Sequence, residues 1–205
     1  MNTRPLIRRL LILVLLLTGL MASVLALLNS RAPATSTVEL RACLRTTEDA
    51  CLRLPSISGA NLDGQSATFP EALRAPLNFI VMPFDREQQV RAIEWVPVFQ
   101  ELIGADDSID FYSLAALPDL APAIRLLVSG GMSAAVSDAA VRARTYLFYL
   151  EDQAAFLQAL TVPDDEIMRV YLVNQAGELL YAGQGDATPE AIAALRQAFA
   201  ELRTP

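Results

Sequence analysis

The stretch LNFIVMPFDREQQVRAIEWVP, residues 77–97, passes directly from an apolar run into a polar, amphipathic segment. The apolar run predicts a central strand that is buried on both faces. Met82-Pro83 ends that strand, because proline has no N–H group to donate to an interior ladder. Asp85 is then suited to cap a helix that runs to about Ile103.

The predicted helix carries a proline near its middle. Pro97 removes one backbone hydrogen bond and crowds the carbonyl group of Ile93, so we expect a kink there. Trp95 has two interpretations, as a core residue that anchors the helix on the sheet or as an interface residue beside Arg86 and Arg91. An apolar stripe at helical spacing is expected to face the core. Its members are Val90, Ile93, Val96, Phe99, Leu102 and Ile103.

The rest of the chain continues the alternation of strands and helices. Short β segments are expected on either side of the turn LDGQ at residues 62–65. The sequence NQAG at residues 174–177 predicts a hairpin turn, and Thr188-Pro189 predicts the start of the last helix. Further strands are predicted at residues 109–114, 145–150, 167–174 and 178–182, and further helices at residues 119–136 and from Asp152 onward.

Pro122, Gly130 and Gly131 are expected to break the helix at residues 119–136, since all three have low helix propensity. The resulting order from residue 77 is β-α-β-α-β-α-β-β-α. This order predicts an α/β fold with a mixed sheet covered by helices on both faces.

Residues 54–203 resemble the thioredoxin-like fold in its larger, peroxiredoxin-like form. Four stretches carry the resemblance: LPSISGANLDG, LNFIVMPF with its proline-containing helix, YLVNQAGELLYAGQG, and TPEAIAALRQAF. The tryptophan in VRAIEWVPVF and the hairpin sequence are similar to those of the mitochondrial ATP-synthase assembly factors. Those proteins are membrane-associated and thioredoxin-like, and they are thought not to act through a redox motif.

The resemblance also identifies two missing residues. A redox-active thioredoxin has a reactive cysteine at the turn after its first central strand, whereas this turn reads FDRE at residues 84–87. Such proteins also have a cis-proline just before the final hairpin, a place that falls near Met168 and Arg169, and Pro163 lies too far upstream. No other side chain replaces a thiolate nucleophile, so the resemblance implies a domain without dithiol chemistry at this turn.

The same turn is the place where thioredoxin-like folds engage their partners. We therefore expect partner-binding residues there, by analogy at the level of the fold. The candidates are Phe84, Asp85, Arg86, Gln89 and Trp95.

The two cysteines, Cys43 and Cys51, have seven residues between them. In an oxidising compartment such a pair is expected to form one disulfide that staples the preceding segment to the domain. The spacing does not suit a CxxC motif, and two cysteines without histidine make a poor zinc site. A redox-active pair and two unpaired thiols remain the alternatives.

Residues 10–28, LLILVLLLTGLMASVLALL, contain no charged residue. A helix of this length nearly spans the hydrocarbon core of a bilayer. Arg4, Arg8 and Arg9 precede it and only Arg31 follows closely, so the positive-inside rule keeps the N-terminus in the cytoplasm. We expect a single-pass signal anchor in a bacterial inner membrane with the C-terminal domain in the periplasm. A cleaved signal peptide, which leaves a secreted or periplasmic protein, is the alternative.

Composition excludes several functions. All 16 basic residues are arginine, so histidine triads, histidine metal sites, Schiff-base lysines and P-loop lysines are absent. From residue 32 onward 12 arginines stand against 23 acidic residues, a net charge of −11 that repels nucleic acid. The acidic residues at 106–107 and 164–166 lack calcium-loop spacing and are expected to be solvated loops. We expect no cofactor and no metal.

The sequence thus predicts a cytoplasmic stub and transmembrane anchor at residues 1–29, a juxtamembrane linker at residues 30–53, and a thioredoxin-like domain at residues 54–205. The predicted function is a redox-inactive interaction or assembly module for envelope or membrane proteins. The turn without a catalytic cysteine, and a chain without histidine or lysine, favour this function over an enzyme. One alternative is an envelope thiol-disulfide oxidoreductase or peroxidase that uses Cys43 and Cys51. Another is a subunit of a larger envelope complex.

Overall fold

Seven strands form the centre of the domain in the structure, a computed structural model that describes residues 43–48 and 50–203. They are β1 (Ile57–Asn61), β2 (Ser66–Phe69), β3 (Leu77–Met82), β4 (Ile109–Pro118), β5 (Thr145–Leu150), β6 (Arg169–Asn174) and β7 (Leu179–Gln184). The sheet order is β2-β1-β5-β4-β3-β6-β7. β3, β4 and β5 run parallel, and the remaining pairs are antiparallel. The predicted mixed sheet is confirmed.

Helices connect and cover these strands. They are α1 (Arg86–Ala92), α2 (Trp95–Ile103), α3 (Pro122–Ala135), α4 (Ala139–Arg144), α5 (Gln153–Ala159) and α6 (Pro189–Leu202). Side chains cap several of them as the sequence predicts: Asp85 caps α1, Asp152 caps α5 and Thr188 caps α6. The six-residue α4 was not predicted, and Asp138 caps it.

The predicted single helix from Asp85 to Ile103 is two helices, α1 and α2. Ile93 and Glu94 separate them, and Pro97 lies in the first turn of α2. N–H groups in the first turn of a helix have no intrahelical acceptor, so a proline there costs no hydrogen bond. The Ile93 carbonyl group accepts a hydrogen bond from the Val96 N–H group, at 3.2 Å. The expected kink is therefore a complete break placed ahead of the proline.

This break overturns part of the predicted apolar stripe. α1 buries Gln88 and Ala92, whereas Val90 is 68% exposed and Ile93 is 47% exposed. Because α1 and α2 are separate helices, each turns a different set of positions toward the sheet. The prediction of one continuous apolar stripe along both is therefore wrong.

The helix predicted at residues 119–136 is continuous over α3. Pro122 lies at its first turn, where proline is well tolerated, so it begins the helix instead of breaking it. Gly130 and Gly131 lie inside the helix without interrupting it. None of its residues is buried.

Successive side chains of a strand point to opposite faces of the sheet, so the core consists of separate clusters on the two faces. Ile80 and Met82 of β3 pack with α5, while Phe79 and Val81 pack with α1, α2, α4 and α6. α3 lies on the second face as well, where it covers Ala115, Leu117 and Leu147 with partly buried Val128 and Met132. Helices therefore cover both faces, as predicted.

The segment that carries the cysteines pairs with the edge strand β7. The Leu44 N–H group donates to the Leu179 carbonyl group at 2.7 Å, and the Leu179 N–H group donates to the Leu52 carbonyl group at 2.9 Å. Cys43 and Cys51 form the expected disulfide between these contacts. Leu44 and Leu52, expected in a linker, thus lie against the sheet and help to cover its edge.

The predicted membrane segment at residues 10–28 and most of the predicted linker lie outside the described residues. Within residues 43–48 and 50–203, no helix is both long and apolar enough to cross a membrane.

Candidate functional site

The turn between β3 and α1 lies where the parallel strands end. The Pro83 carbonyl group accepts a hydrogen bond from the Ala116 N–H group of β4, at 2.9 Å. β6 begins beside the turn, because Arg169 pairs with Met82 across the sheet. Met168 immediately precedes β6, so no proline occupies that position. The turn and the start of the final hairpin are thus neighbours, as the predicted fold requires.

Hydrogen bonds occupy the polar groups of this turn. An Asp85 carboxylate oxygen accepts from the Gln88 N–H group at 2.8 Å. The buried Gln88 amide accepts from the Phe84 N–H group at 2.9 Å and donates to the Asp165 carbonyl group at 2.6 Å. These contacts tie the turn to the loop ahead of β6. Asp85 and Gln88 therefore have a structural role, and no thiol lies at this turn.

Two of the five predicted partner-binding residues belong to the core. Phe84 and Trp95 are each 1% exposed. The Trp95 indole N–H group donates to the Gly185 carbonyl group at 3.1 Å, and its ring stacks on Phe99 at 5.8 Å between centroids. Trp95 therefore anchors α2 on the sheet, the first of its two interpretations, and neither side chain presents a surface to a partner.

The other three candidates lie at the surface of α1 and its cap. Asp85 and Arg86 are exposed, and Gln89 is half-buried. The Gln89 amide N–H group donates to the hydroxyl group of buried Ser113 on β4, at 3.4 Å. Val90, next to them, is also exposed, which the sequence did not predict. Its helical spacing from Ile93 placed it in the apolar stripe that was expected to face the core.

A groove lies between α1 and α3, with a volume of about 280 Å³. We call it the α1–α3 groove. α1 lines it with Arg86, Gln89 and Val90. α3 lines it with Leu127, Val128, Gly131, Met132 and Ala135. The lining is mainly apolar, with one cation and one amide.

The outer face of α3 continues this apolar surface. Leu126 is 77% exposed, Leu127 is 76% exposed, and Ile124 is 48% exposed. Adjacent large apolar side chains on one solvent-facing helix are typical of an interaction surface. The spacing of LL at residues 126–127 did not indicate this exposure, because adjacent apolar residues can share one buried stripe, as Phe156 and Leu157 do on α5.

The disulfide lies at the opposite end of the sheet from the β3–α1 turn. Leu179, which hydrogen-bonds to the cysteine segment, pairs with Val173, and Val173 pairs with Asn78 near the start of β3. The turn follows Met82 at the other end of that strand. Neither cysteine is a free thiol, and the fold does not bring them to the turn.

Two titratable groups away from the turn have shifted pKa values with local causes. Hydrogen bonds from Ser108 hold the pKa of Asp106 below its usual value. Burial raises the pKa of Tyr112 to about 12. Across residues 43–48 and 50–203, histidine, cysteine and acidic side chains form no group of three or more that could hold a metal ion.

The topology of the sheet and the helices on both of its faces fit a thioredoxin-like fold. No protein-family model matches the chain, and no curated protein matches it. An uncharacterised conserved protein from Geobacillus kaustophilus has a TM-score of 0.50 and 14% identity, covering 74% of this chain and 80% of that chain.

Two further solved structures have a similar fold to this chain at low sequence identity. BsSco, a member of the Sco family of cytochrome c oxidase assembly proteins, has a TM-score of 0.49 and 12% identity, with coverage of 76% of this chain and 96% of that chain. The thioredoxin domain of a thiol-disulfide oxidoreductase from Bacteroides vulgatus has a TM-score of 0.48 and 14% identity, with coverage of 73% and 97%. At these identities the likeness concerns the fold alone.

Proposed function

We propose that the chain is a membrane-anchored, redox-inactive thioredoxin-like protein that binds other envelope or membrane proteins and assists their assembly. One observation carries the proposal: the β3–α1 turn holds Asp85 and Gln88 in structural hydrogen bonds where a redox protein needs a thiolate. The exposed apolar side chains of α3 support a binding role.

The proposed location follows from the sequence. The apolar residues 10–28, with three arginines before them, favour an anchor in a bacterial inner membrane and a domain in the periplasm. The Cys43–Cys51 disulfide supports this placement, because disulfides persist in oxidising compartments. The resemblance to the ATP-synthase assembly factors makes a membrane complex the proposed partner class.

An insulin-reduction assay on the full chain tests the redox half of the proposal. We expect the rate with dithiothreitol to equal the rate without protein. The control is the double variant Cys43→Ser/Cys51→Ser, which should behave identically. Catalysed reduction by the unaltered chain that disappears in the double variant would establish an oxidoreductase instead.

Thiol titration separates the same two functions without a substrate. A structural disulfide gives no free thiol before denaturation and reacts slowly with reductant. A redox-active pair gives rapid reduction and at least one thiol of lowered pKa.

A further inference from the structure

We infer that the α1–α3 groove receives one helix of the partner protein, with an apolar stripe in the groove and a carboxylate paired with Arg86. This inference rests on the proposed function and specifies its binding site. Four properties of the groove carry it: its helical walls, its small residues, its cation and its unpaired amide oxygen.

The groove favours a helix over an extended peptide. Its walls are two helices, whose backbone groups away from the helix ends are bonded within each helix. An extended segment placed here would leave its own N–H and carbonyl groups unpaired against apolar side chains. A helix satisfies these groups internally and presents side chains at intervals of three and four residues.

Small residues on α3 allow close approach. Gly131 and Ala135 lie one helical turn apart, and both line the groove. A Cβ atom built at Gly131 meets no other atom within 4 Å, so the space above it is open. Val90 and Leu127 stand beside this open space as exposed apolar walls. A third helix can therefore pack its own side chains between them.

Arg86 gives the site its charge preference. Among the arginine guanidinium groups of the described residues, only those of Arg86 and Arg74 make no hydrogen bond or ion pair, and Arg74 lies away from the groove. Arg91 pairs with Asp186 and Arg125 pairs with Asp119. Arg86 thus has an uncompensated positive charge beside an apolar surface, which a carboxylate of the partner would complement.

Gln89 supplies the polar anchor. Its amide N–H group is directed to Ser113, and its amide oxygen is buried without a hydrogen-bond donor. A buried unpaired acceptor is costly, and a donor from the occupant would remove that cost. The partner helix is therefore expected to carry a hydroxyl or amide side chain near its carboxylate.

Two other occupants fit the charges less well. A second copy of this chain would bring together two domains that each have the excess of acidic residues noted above. Like charges disfavour that approach. The same excess repels an anionic lipid surface. Cross-linking to the chain itself or to lipid would count against the inference.

Site-specific photo-cross-linking of the full chain in its own membranes tests the inference. A photoreactive phenylalanine analogue replaces Val90 or Leu127, and the matched control replaces Ala194 on the exposed side of α6. We expect cross-links at Val90 and Leu127 but not at Ala194. The cross-linked partner segment, mapped by mass spectrometry, should be helical and contain Asp or Glu.

A charge exchange then tests the role of Arg86. Arg86→Glu should lower the cross-link yield at Val90 by about tenfold or more, because it replaces an attractive charge pair with repulsion between two carboxylates. Arg86→Lys should retain much of the yield, and Arg74→Glu should leave it unchanged. Replacing the partner carboxylate with arginine should restore the yield with Arg86→Glu.

The outcomes separate this inference from the proposed function. Protein cross-links at Ala194 but not at Val90 or Leu127 would overturn the inference and leave an interaction module in place. Cross-links to an extended or basic segment would overturn it as well. Absence of protein cross-links at all three positions, together with catalysed insulin reduction, would overturn both.

Discussion

α3 and α6 are matched helices with different roles. Each has 14 residues, begins with proline and lies on the same face of the sheet. α6 has a side-chain cap from Thr188 and buries Leu195 and Phe199. α3 has no side-chain cap bond and buries none of its residues.

The difference shows what each helix contributes. In α6 the apolar residues face the sheet, where Phe199 meets Phe79 at 5.2 Å between ring centroids. In α3 the adjacent Leu126 and Leu127 point to solvent, and the apolar contacts that stabilise the fold come from half-buried Val128 and Met132. Exposed leucines contribute little to folding, and their presence on α3 supports the binding role proposed above for that helix.

The largest expected effect belongs to the well-packed helix. Phe199→Ala should lower the free energy of unfolding by about 3–5 kcal/mol, because it removes a buried ring and leaves a cavity. Urea denaturation followed by Trp95 fluorescence measures this change. A loss below about 1 kcal/mol would mean that α6 is no better packed than α3.

The second effect concerns the disulfide, which lies outside both helices. Cys43→Ser/Cys51→Ser should lower the free energy of unfolding by about 2–3 kcal/mol, the chain-entropy value for so short a loop. Binding at the α1–α3 groove should not change, because the disulfide segment contacts β7 at the other end of the sheet. If the folded double variant lost the cross-link at Val90, binding at the groove would depend on the disulfide, which would contradict this prediction.

Glycine replacements in α3 should have a smaller effect of opposite sign. Gly130→Ala and Gly131→Ala should each raise the free energy of unfolding by about 0.5–1 kcal/mol, since both glycines are helical and a Cβ atom meets nothing within 4 Å. Only Gly131 lines the groove, so only its replacement should lower the cross-link yield at Val90. Equal effects on cross-linking would place the binding surface elsewhere on α3.

The smallest expected change in stability is that of Leu127→Ala. An exposed side chain away from caps and core should change the free energy of unfolding by less than about 0.5 kcal/mol. The same variant should nevertheless weaken cross-linking at Val90. A large loss of stability would show that α3 needs Leu127 for packing, which would remove the contrast with α6.

The sequence predicted the fold well where one local signal determines an element. The apolar run at β3, the TYLFYL strand at β5, and the caps Asp85 and Thr188 all have such signals. The orientation of a helix on the sheet depends on tertiary contacts, and here the sequence analysis failed. The break at Ile93 turned Val90 to solvent, against the predicted apolar stripe, whereas Trp95 lies in the core as one of its two interpretations predicted.

The candidate site was predictable in position but not in composition. The β3–α1 turn and Arg86 followed from the resemblance, whereas Phe84 proved buried. The groove could not be predicted, because it depends on how α3 packs, and Pro122 and Gly130 suggested a broken helix there. Val90 and Leu127 line the same groove although they lie far apart in the sequence, and no sequence pattern predicts that they are neighbours.

In the function proposed above, the domain works by binding at the α1–α3 groove and without thiol chemistry. The most direct measurement is the cross-link yield at Val90 in the full chain, compared between Arg86→Glu and Cys43→Ser/Cys51→Ser, each verified as folded by Trp95 emission. We predict that the yield falls about tenfold or more with Arg86→Glu and stays unchanged without the cysteines. A yield that depends on the cysteines and not on Arg86 would contradict the account.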